Sequence, residues 1–276
     1  MSLPVPWTQE EVAHILEALT LGEIEIEGRL VDASNVVLRG QLDLDDVRTR
    51  VIYKPVKGER PLWDFPDGTL AQREVSAFVL SAAGGWNLVP PTVLREGPLG
   101  PGSVQLWIDA VEEGSRTLVD VVTPEALPPG WLPVFEAQLT DGTEVVVAHD
   151  DRPELASAAV LDVVLNNADR KGSHLVVDRS GSVWGFDHGL CGHAEPKLRT
   201  VLWGWVGQPL PETDLGRLES LSGRLSNPRS PLSRTIKGLL SPAEVQALRQ
   251  RISKLLATGL FPEPNGRGPA VPWPPL

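Results

Sequence analysis

The chain has 276 residues, 41% hydrophobic and 22% charged, enough for one large domain or two lobes that share a cleft. Its net charge of −11 argues against nucleic acid as a partner, because nucleic-acid-binding surfaces cluster Lys and Arg, and it disfavours a permanent hold on anionic membranes. A single cysteine excludes an intrachain disulfide, and neither a signal peptide nor a membrane-spanning apolar run is present, so we expect a cytoplasmic protein without stable membrane insertion.

The N-terminal part is predicted to form mainly strands. Residues 8–11 match the capping box Thr-x-x-Glu, which opens a helix. Isoleucines alternate with acidic residues over residues 24–30, which predicts a strand. A polar turn over residues 32–35, which contains Ser34, then leads to a second strand at residues 36–38.

A further strand is expected to carry a lysine at its end. Residues 50–54 include a β-branched run, and Pro55 lacks the N–H that would continue a strand ladder, so Lys54 marks the strand end. Apolar residues at helical spacing over residues 73–80 predict a helix that contains Glu74. A lone lysine at a strand end is normally solvated, but a glutamate on the next helix can pair with it.

Two more strands are predicted at residues 89–94 and 103–108, and beyond residue 123 the chain is expected to be helical in pieces. Residues 152–166 carry a proline in the first turn and are apolar nearly all round, which indicates a buried helix. Its Asp162 is expected to accept hydrogen bonds from the following loop rather than to act in catalysis. Two amphipathic helices and a Pro-rich tail, extended or disordered, are predicted at residues 215–221, 241–256 and 262–276.

Polar residues cluster around a predicted hairpin at residues 175–177 and 183–186. Asp169 precedes the hairpin, Asp187 follows it and His174 lies between them, so three oxygen or nitrogen ligands can converge on one spot. A solvated loop followed by a turn-forming Asp-His-Gly is the alternative interpretation. A hairpin that only buries apolar side chains requires none of these polar groups, and we therefore predict a functional site here.

The pattern D-R-K-x-x-H from Asp169 to His174, followed by F-D-H-G around Asp187, resembles the catalytic loop and metal-binding corner of the protein-kinase-like superfamily. It resembles a small actinobacterial-type group of phosphatidylinositol 3-/4-kinase-like proteins more than any eukaryotic kinase. The resemblance implies an α+β, two-lobed protein-kinase-like fold with a β-rich N-lobe and a mainly helical C-lobe. The implied bounds are 1–110 for the N-lobe, 111–261 for the C-lobe and 262–276 for the tail.

The resemblance also implies ATP-dependent transfer of a phosphoryl group to a hydroxyl acceptor, with Asp169 as catalytic base and Lys171 beside it. His174 and Asp187 would hold Mg²⁺ or Mn²⁺. Backbone groups near the hinge between the lobes would bind adenine. The implied nucleotide-binding residues are Ser34, Lys54, Glu74, Trp107 and Asp109.

His174 departs from the superfamily pattern, which has asparagine at this position. A neutral carbonyl oxygen is the hard ligand that Mg²⁺ prefers, whereas imidazole suits Mn²⁺ and softer ions better. Either the second metal position is weakened, or it tolerates Mn²⁺, or His174 contacts phosphate instead. A histidine that merely caps the loop is the remaining interpretation.

Two other functions stay open. A nucleotide-binding pseudokinase with a regulatory role would keep all of these polar groups except the asparagine. The residues available to a metal-dependent phosphohydrolase are His149, Asp150, Asp169, His174, Asp187 and His188. Such sites usually place a His-Asp pair on a helix, but here the pair ends an apparent strand at residues 144–148. The acceptor also stays open among a lipid headgroup, a protein and a small metabolite.

Overall fold

The computed structural model describes residues 7–30, 35–44, 47–60, 62, 65, 69–111 and 117–276. The helices are α1 (Gln9–Leu21), α2 (Leu70–Gly84), α3 (Pro153–Leu165), α4 (Glu212–Ser226), α5 (Pro231–Leu239) and α6 (Pro242–Thr258). The strands are β1 (Glu23–Arg29), β2 (Leu38–Leu44), β3 (Val47–Pro55), β4 (Thr92–Gly97), β5 (Gly100–Leu106), β6 (Val119–Val122), β7 (Trp131–Gln138), β8 (Glu144–Asp150), β9 (Leu175–Val177) and β10 (Val183–Gly185).

The strands β1 to β5 form one antiparallel sheet in the order β1-β2-β3-β5-β4, and α1 and α2 pack against it. Val51 and Tyr53 of β3 are fully buried in a core shared with α1. Because side chains alternate along a strand, Ile52 and Lys54 lie on the opposite face of the sheet. That face is turned toward Asp187, which follows β10.

Local signals in the sequence explain where helices begin. Thr8 Oγ1 accepts a hydrogen bond from Glu11 N at 3.2 Å, and Glu11 Oε2 accepts one from Thr8 N at 2.6 Å. Ser241 and Glu244 form the same reciprocal pair at the start of α6.

The apolar helix α3 is buried on nearly all sides, as predicted, and α6 packs against it and against α4 and α5. Among the described helices, none combines the length and apolar character needed to span a membrane.

The chain between β5 and α3 differs from the prediction. Residues 119–150 are not helical in pieces but contain a three-stranded antiparallel sheet in the order β6-β8-β7. The apparent strand at residues 144–148 is the central strand, β8. The sequence does not reveal β7, because Pro133 cannot donate to a strand ladder. The strand tolerates Pro133 because it lies at the sheet edge and its register shifts between Pro133 and Phe135.

The Pro-rich tail has no helix or strand over residues 262–276, yet it is held against the rest of the protein. Thr200 N and Trp203 Nε1 both donate to Ala270 O, at 3.0 and 2.9 Å. Further along, Gly172 N donates to Pro275 O at 2.8 Å. The end of the tail is therefore docked on the loop that follows α3.

Candidate active site

Lys54 joins the two halves of the site. Its Nζ donates to Glu74 Oε1 of α2 and to Asp187 Oδ1 of the corner after β10, the latter at 2.8 Å. Burial alone would lower the pKa of the Lys54 ammonium, but the charges of Asp187 and Glu74 outweigh burial and raise this pKa above its usual range. Lys54 is therefore a firmly charged cation between two acidic side chains.

Glu74 fixes both Lys54 and the Asp187 corner. Only 2% of Glu74 is exposed, and its second oxygen, Oε2, accepts a hydrogen bond from His188 N at 2.9 Å. Asp187 has a φ of 59°, a left-handed conformation that costs a non-glycine residue on the order of 1–3 kcal/mol. The hydrogen bond from the next residue to Glu74 stabilises this conformation. The Lys54 charge lowers the pKa of Asp187 well below its usual range, so this carboxylate is ionised.

Arg170 holds the loop after α3 to the same corner. Its guanidinium donates to Asp162 of α3 at 3.0–3.1 Å and to the carbonyl oxygens of His174 and Phe186 at 3.2 and 3.3 Å. A further contact of 2.7 Å joins Arg170 Nη2 to His188 Nε2. The prediction that Asp162 accepts hydrogen bonds from the loop is confirmed. Arg170 belongs to the D-R-K-x-x-H motif, but the motif predicts no role for it. Asp162, an acid on the mainly apolar α3, is the signal that could have revealed this pair.

Asp169 and Lys171 face a common cavity. Lys171 Nζ lies 3.6 Å from Asp169 Oδ2, and the side chains are 21% and 28% exposed, respectively. Burial raises the pKa of the Asp169 carboxyl above its usual range, although the Lys171 charge partly opposes this. A carboxylate with a raised pKa is a better proton acceptor, which suits general-base chemistry.

His174 lies beside Asp187, with Nε2 3.4 Å from Asp187 Oδ2. Burial lowers the pKa of His174 to about 4, so the imidazole is neutral and can act as a ligand. Adjacent ligands of an octahedral ion are roughly 3 Å apart, so this spacing fits one divalent cation held by both side chains. Nδ1 of His174 is buried and has no hydrogen-bond partner among the described residues, whereas histidines that bind metal usually have one. Asp187 is therefore the better ligand of the two.

No group of three or more His, Cys, Asp or Glu side chains in the described ranges is arranged to hold a metal ion. A Mg²⁺ ion commonly uses one or two carboxylates and completes its coordination with phosphate oxygens and water. The pair of Asp187 and His174 fits that pattern and not that of a metal site built from protein ligands alone. The phosphohydrolase alternative also loses support, because His149 is fully buried and accepts a hydrogen bond from Gly204 N through Nε2 at 3.1 Å.

Two cavities meet at Lys54 and Asp187. The first, about 510 Å³, is mainly apolar. The second, about 450 Å³, has a lining of mixed character and is the more polar of the two, so it is called the polar cavity below. The first is lined in part by Ile52, Gln105, Leu106, Trp107, Asp109, Val176 and Phe186. The second is lined in part by Glu74, Asp169, Lys171, His174, Pro274 and Leu276.

The predicted site residues are thus brought together, with one exception. Ser34 lies outside the described residues. Trp107 and Asp109 line the apolar cavity, but the Asp109 carboxylate is engaged, since it forms an ion pair with Arg50 and accepts from Trp107 Nε1 at 3.1 Å. The sequence does not predict that Pro274 and Leu276 of the tail line the polar cavity, because neither proline nor leucine is typical of a functional site.

Comparison with known proteins places the chain in a family. No family model matches the sequence. Protein Rv2133c of Mycobacterium tuberculosis is 46% identical over 260 residues, which cover 92% of each chain. The chain belongs to the family of protein Rv2133c.

Solved structures resemble this Rv2133c-family protein in fold. The crystal structure of the Golgi casein kinase aligns with a TM-score of 0.52 at 14% identity, over 98% of this chain and 79% of that one. The Helicobacter pylori proinflammatory kinase CtkA aligns with a TM-score of 0.47 at 14% identity, over 88% of this chain and 94% of that one. The first alignment confirms the predicted α+β, protein-kinase-like fold. The narrower resemblance to phosphatidylinositol 3-/4-kinases stays a prediction from the motifs.

Proposed function

We propose that the protein is an ATP-dependent kinase that transfers the γ-phosphoryl group to a hydroxyl acceptor. The observation that carries this proposal is the link from Lys54 to Glu74 and Asp187 at the junction of an apolar and a polar cavity. The apolar cavity has the size of a small-ligand pocket and suits a base, and the polar cavity suits phosphates and the acceptor. The protein-kinase-like fold supports the same assignment of the base to one cavity and of the phosphates and acceptor to the other.

The side chains supply the parts that phosphoryl transfer requires. Lys54, held by Glu74, binds phosphate oxygens of the nucleotide, and Asp169 orients the acceptor hydroxyl and takes its proton. The acceptor oxygen forms a bond to the γ-phosphorus while the bond to the ADP oxygen breaks. Asp187 and His174 would hold a Mg²⁺ or Mn²⁺ ion, which would supply positive charge to neutralise the phosphates. Lys171, 3.6 Å from Asp169, adds positive charge where the phosphoryl group passes.

For the acceptor, the Asp-Arg pair of the motif favours a substrate of the phosphoinositide type, in which a ring hydroxyl on a lipid headgroup attacks. Lys171, two residues after Asp169, instead resembles the protein kinases, so a protein acceptor is the alternative. Lys171 lines the polar cavity, and the charge of Arg199 acts on Asp169, so positive charge is available for an anionic headgroup. The net charge of −11 opposes lasting attachment to an anionic membrane, so such a reaction would involve brief encounters. A cytoplasmic location supplies ATP and keeps the free, buried Cys191 reduced.

The test is transfer of label from γ-labelled ATP by the purified full chain, with Mg²⁺ or Mn²⁺. Separate reactions contain phosphatidylinositol vesicles, a protein mixture and a mixture of polar metabolites. Label in one class, absent with Lys54→Met and Asp169→Asn, supports the proposal and identifies the acceptor class. ATP binding without turnover under all of these conditions would instead support the pseudokinase alternative.

A further inference from the structure

Gln105 is a buried polar side chain in the wall of the apolar cavity. In the sheet it lies directly opposite Ile52 of β3 and Thr92 of β4. Directly opposed residues of antiparallel strands project from the same face, so Gln105 shares its face with Ile52 and with Lys54, two residues further along β3. Gln105 therefore presents an amide to whatever occupies this mainly apolar space.

The orientation of that amide is set by a chain of hydrogen bonds. Thr92 Oγ1 lies 2.7 Å from Pro90 O, and because a carbonyl oxygen can only accept, the hydroxyl uses its proton there. Toward Gln105, 2.8 Å away, the hydroxyl can then only accept, so the facing group must be the Nε2 amino group. The other end of the amide, Oε1, is consequently directed away from Thr92. Within the described residues Oε1 has no hydrogen-bond partner. It is not fully enclosed by the protein, so a ligand in the cavity can reach it.

We infer that Gln105 selects the base of the nucleotide by offering Oε1 as an acceptor to an exocyclic amino group. This inference rests on the proposed function, because it takes the base to occupy the cavity of about 510 Å³. A 6-aminopurine satisfies Oε1. A 6-oxopurine places its own lone pairs against it, and Thr92 prevents the amide from turning to offer Nε2 instead. The reaction is therefore specific for adenine nucleotides through a side chain as well as through backbone groups.

The test compares the affinities of ATP and ITP for the full chain by isothermal titration calorimetry. ITP carries an oxygen and a ring N–H where ATP has its 6-amino group and a bare ring nitrogen, and it lacks the additional amino group of GTP. We expect the wild-type chain to bind ATP at least about tenfold more tightly than ITP. A difference of this size corresponds to one hydrogen bond gained with ATP or one acceptor left unpaired with ITP. Gln105→Met should lower this ratio several-fold, mainly by weakening the binding of ATP, while the backbone groups keep a residual preference for adenine.

Thr92→Val is the sharper variant, because it leaves Gln105 in place and only frees its amide to rotate. ITP should then bind more tightly while ATP changes little, so the ratio falls several-fold. Thr49→Val, in the same sheet but away from the cavity, is the matched control and should keep the wild-type ratio. Circular dichroism and thermal melts establish that each variant is folded.

The outcomes separate this inference from the proposed function. An equal affinity of the wild-type chain for ATP and ITP, or a ratio unchanged in both Gln105→Met and Thr92→Val, overturns the role of Gln105 and leaves the kinase proposal standing. The predicted pattern of affinities without phosphoryl transfer supports the role of Gln105 and overturns the kinase proposal. Failure to bind either nucleotide overturns both.

Discussion

At the scale of single residues, we propose that nucleotide binding depends on Lys54. Lys54→Met removes the cation that faces the phosphates and leaves Glu74 and Asp187 as uncompensated neighbouring carboxylates. We expect turnover, measured as ADP production, to fall at least about 100-fold, the scale for losing one preorganised charged group. Lys57→Met, which makes the same charge change on an exposed residue, should retain activity. Equal activity of the two variants contradicts the assignment of Lys54.

We expect the ionised carboxylate of Asp169 to serve catalysis while it lowers the stability of the folded protein. Its pKa is raised by burial, so the folded state favours the protonated form, and the ionised carboxylate destabilises the protein at neutral pH. Asp169→Asn should therefore abolish turnover, keep nucleotide affinity and leave the melting temperature unchanged or slightly higher. In the wild type, activity should decline with falling pH at values above those usual for aspartate. Asp141→Asn on an exposed turn is the control for the charge change, and a clear loss of thermal stability in Asp169→Asn would speak against the assignment.

We propose that His174 determines which metal ion supports activity. The neutral imidazole beside Asp187 favours Mn²⁺ over Mg²⁺, so we expect Mn²⁺ to support turnover at least as well as Mg²⁺. His174→Asn supplies a carbonyl oxygen and should shift the preference toward Mg²⁺. The measurement is the rate of ADP formation across a concentration series of each ion. An identical preference in wild type and variant would show that His174 caps the loop and binds no metal.

At the scale of secondary-structure elements, α2 is fastened to the C-terminal part by Arg73. Its guanidinium donates to Glu244 Oε1 at 2.6 Å and to Cys191 O at 2.7 Å, and it lies over the Phe65 ring, 4.8 Å from its centroid. Because Glu74 is the next residue on α2, this attachment also holds Glu74 at the site. The attachment of Arg73 therefore supports the contact between Lys54 and Glu74.

Loosening this attachment should cost both stability and activity. Arg73→Met leaves the carboxylate of Glu244 without its partner, and breaking a buried ion pair from one side costs about 3 kcal/mol. We expect the free energy of unfolding, measured by urea denaturation, to fall by about that amount, with a parallel loss of turnover. Arg73→Met combined with Glu244→Gln, which removes the unpaired charge and keeps an acceptor for Ser241 N, should recover part of the loss. Arg234→Met, an exposed arginine of α5, is the control, and a similar small effect for Arg73→Met would contradict the role of this pair.

At the scale of the whole molecule, the sequence predicts the parts of the fold that local patterns encode. The capping boxes at Thr8 and Ser241 mark true helix starts, and the apolar run of α3 marks a buried helix. The hairpin of β9 and β10 follows from its flanking turn residues. Asp169 and Asp187 could be singled out because acids on both sides of a buried hairpin have no role in packing.

What the sequence does not predict depends on contacts between distant residues. β7 is hidden by Pro133, which only an edge position makes acceptable. The guanidinium of Arg170 that pairs with Asp162, the attachment of Arg73 and the amide of Gln105 all involve partners on other elements. Each of these side chains could equally be a surface residue when the sequence is read locally. Their burial is decided by the packing of the lobes, which no local pattern encodes.

The docked tail has a consequence for how the cleft fluctuates. The amide of Gly172, three residues after Asp169, is shielded by Pro275 O rather than by a partner within its own loop, so its hydrogen exchange reports whether the tail is bound. Val271→Asp, which places a charge at a partly buried apolar position of the tail, should accelerate deuterium uptake at Gly172 while the amides of α3 stay protected. Trp273→Ala, at a residue that is 81% exposed, should leave both unchanged. Slow exchange at Gly172 in the Val271→Asp variant would mean that the loop keeps its shape without the tail.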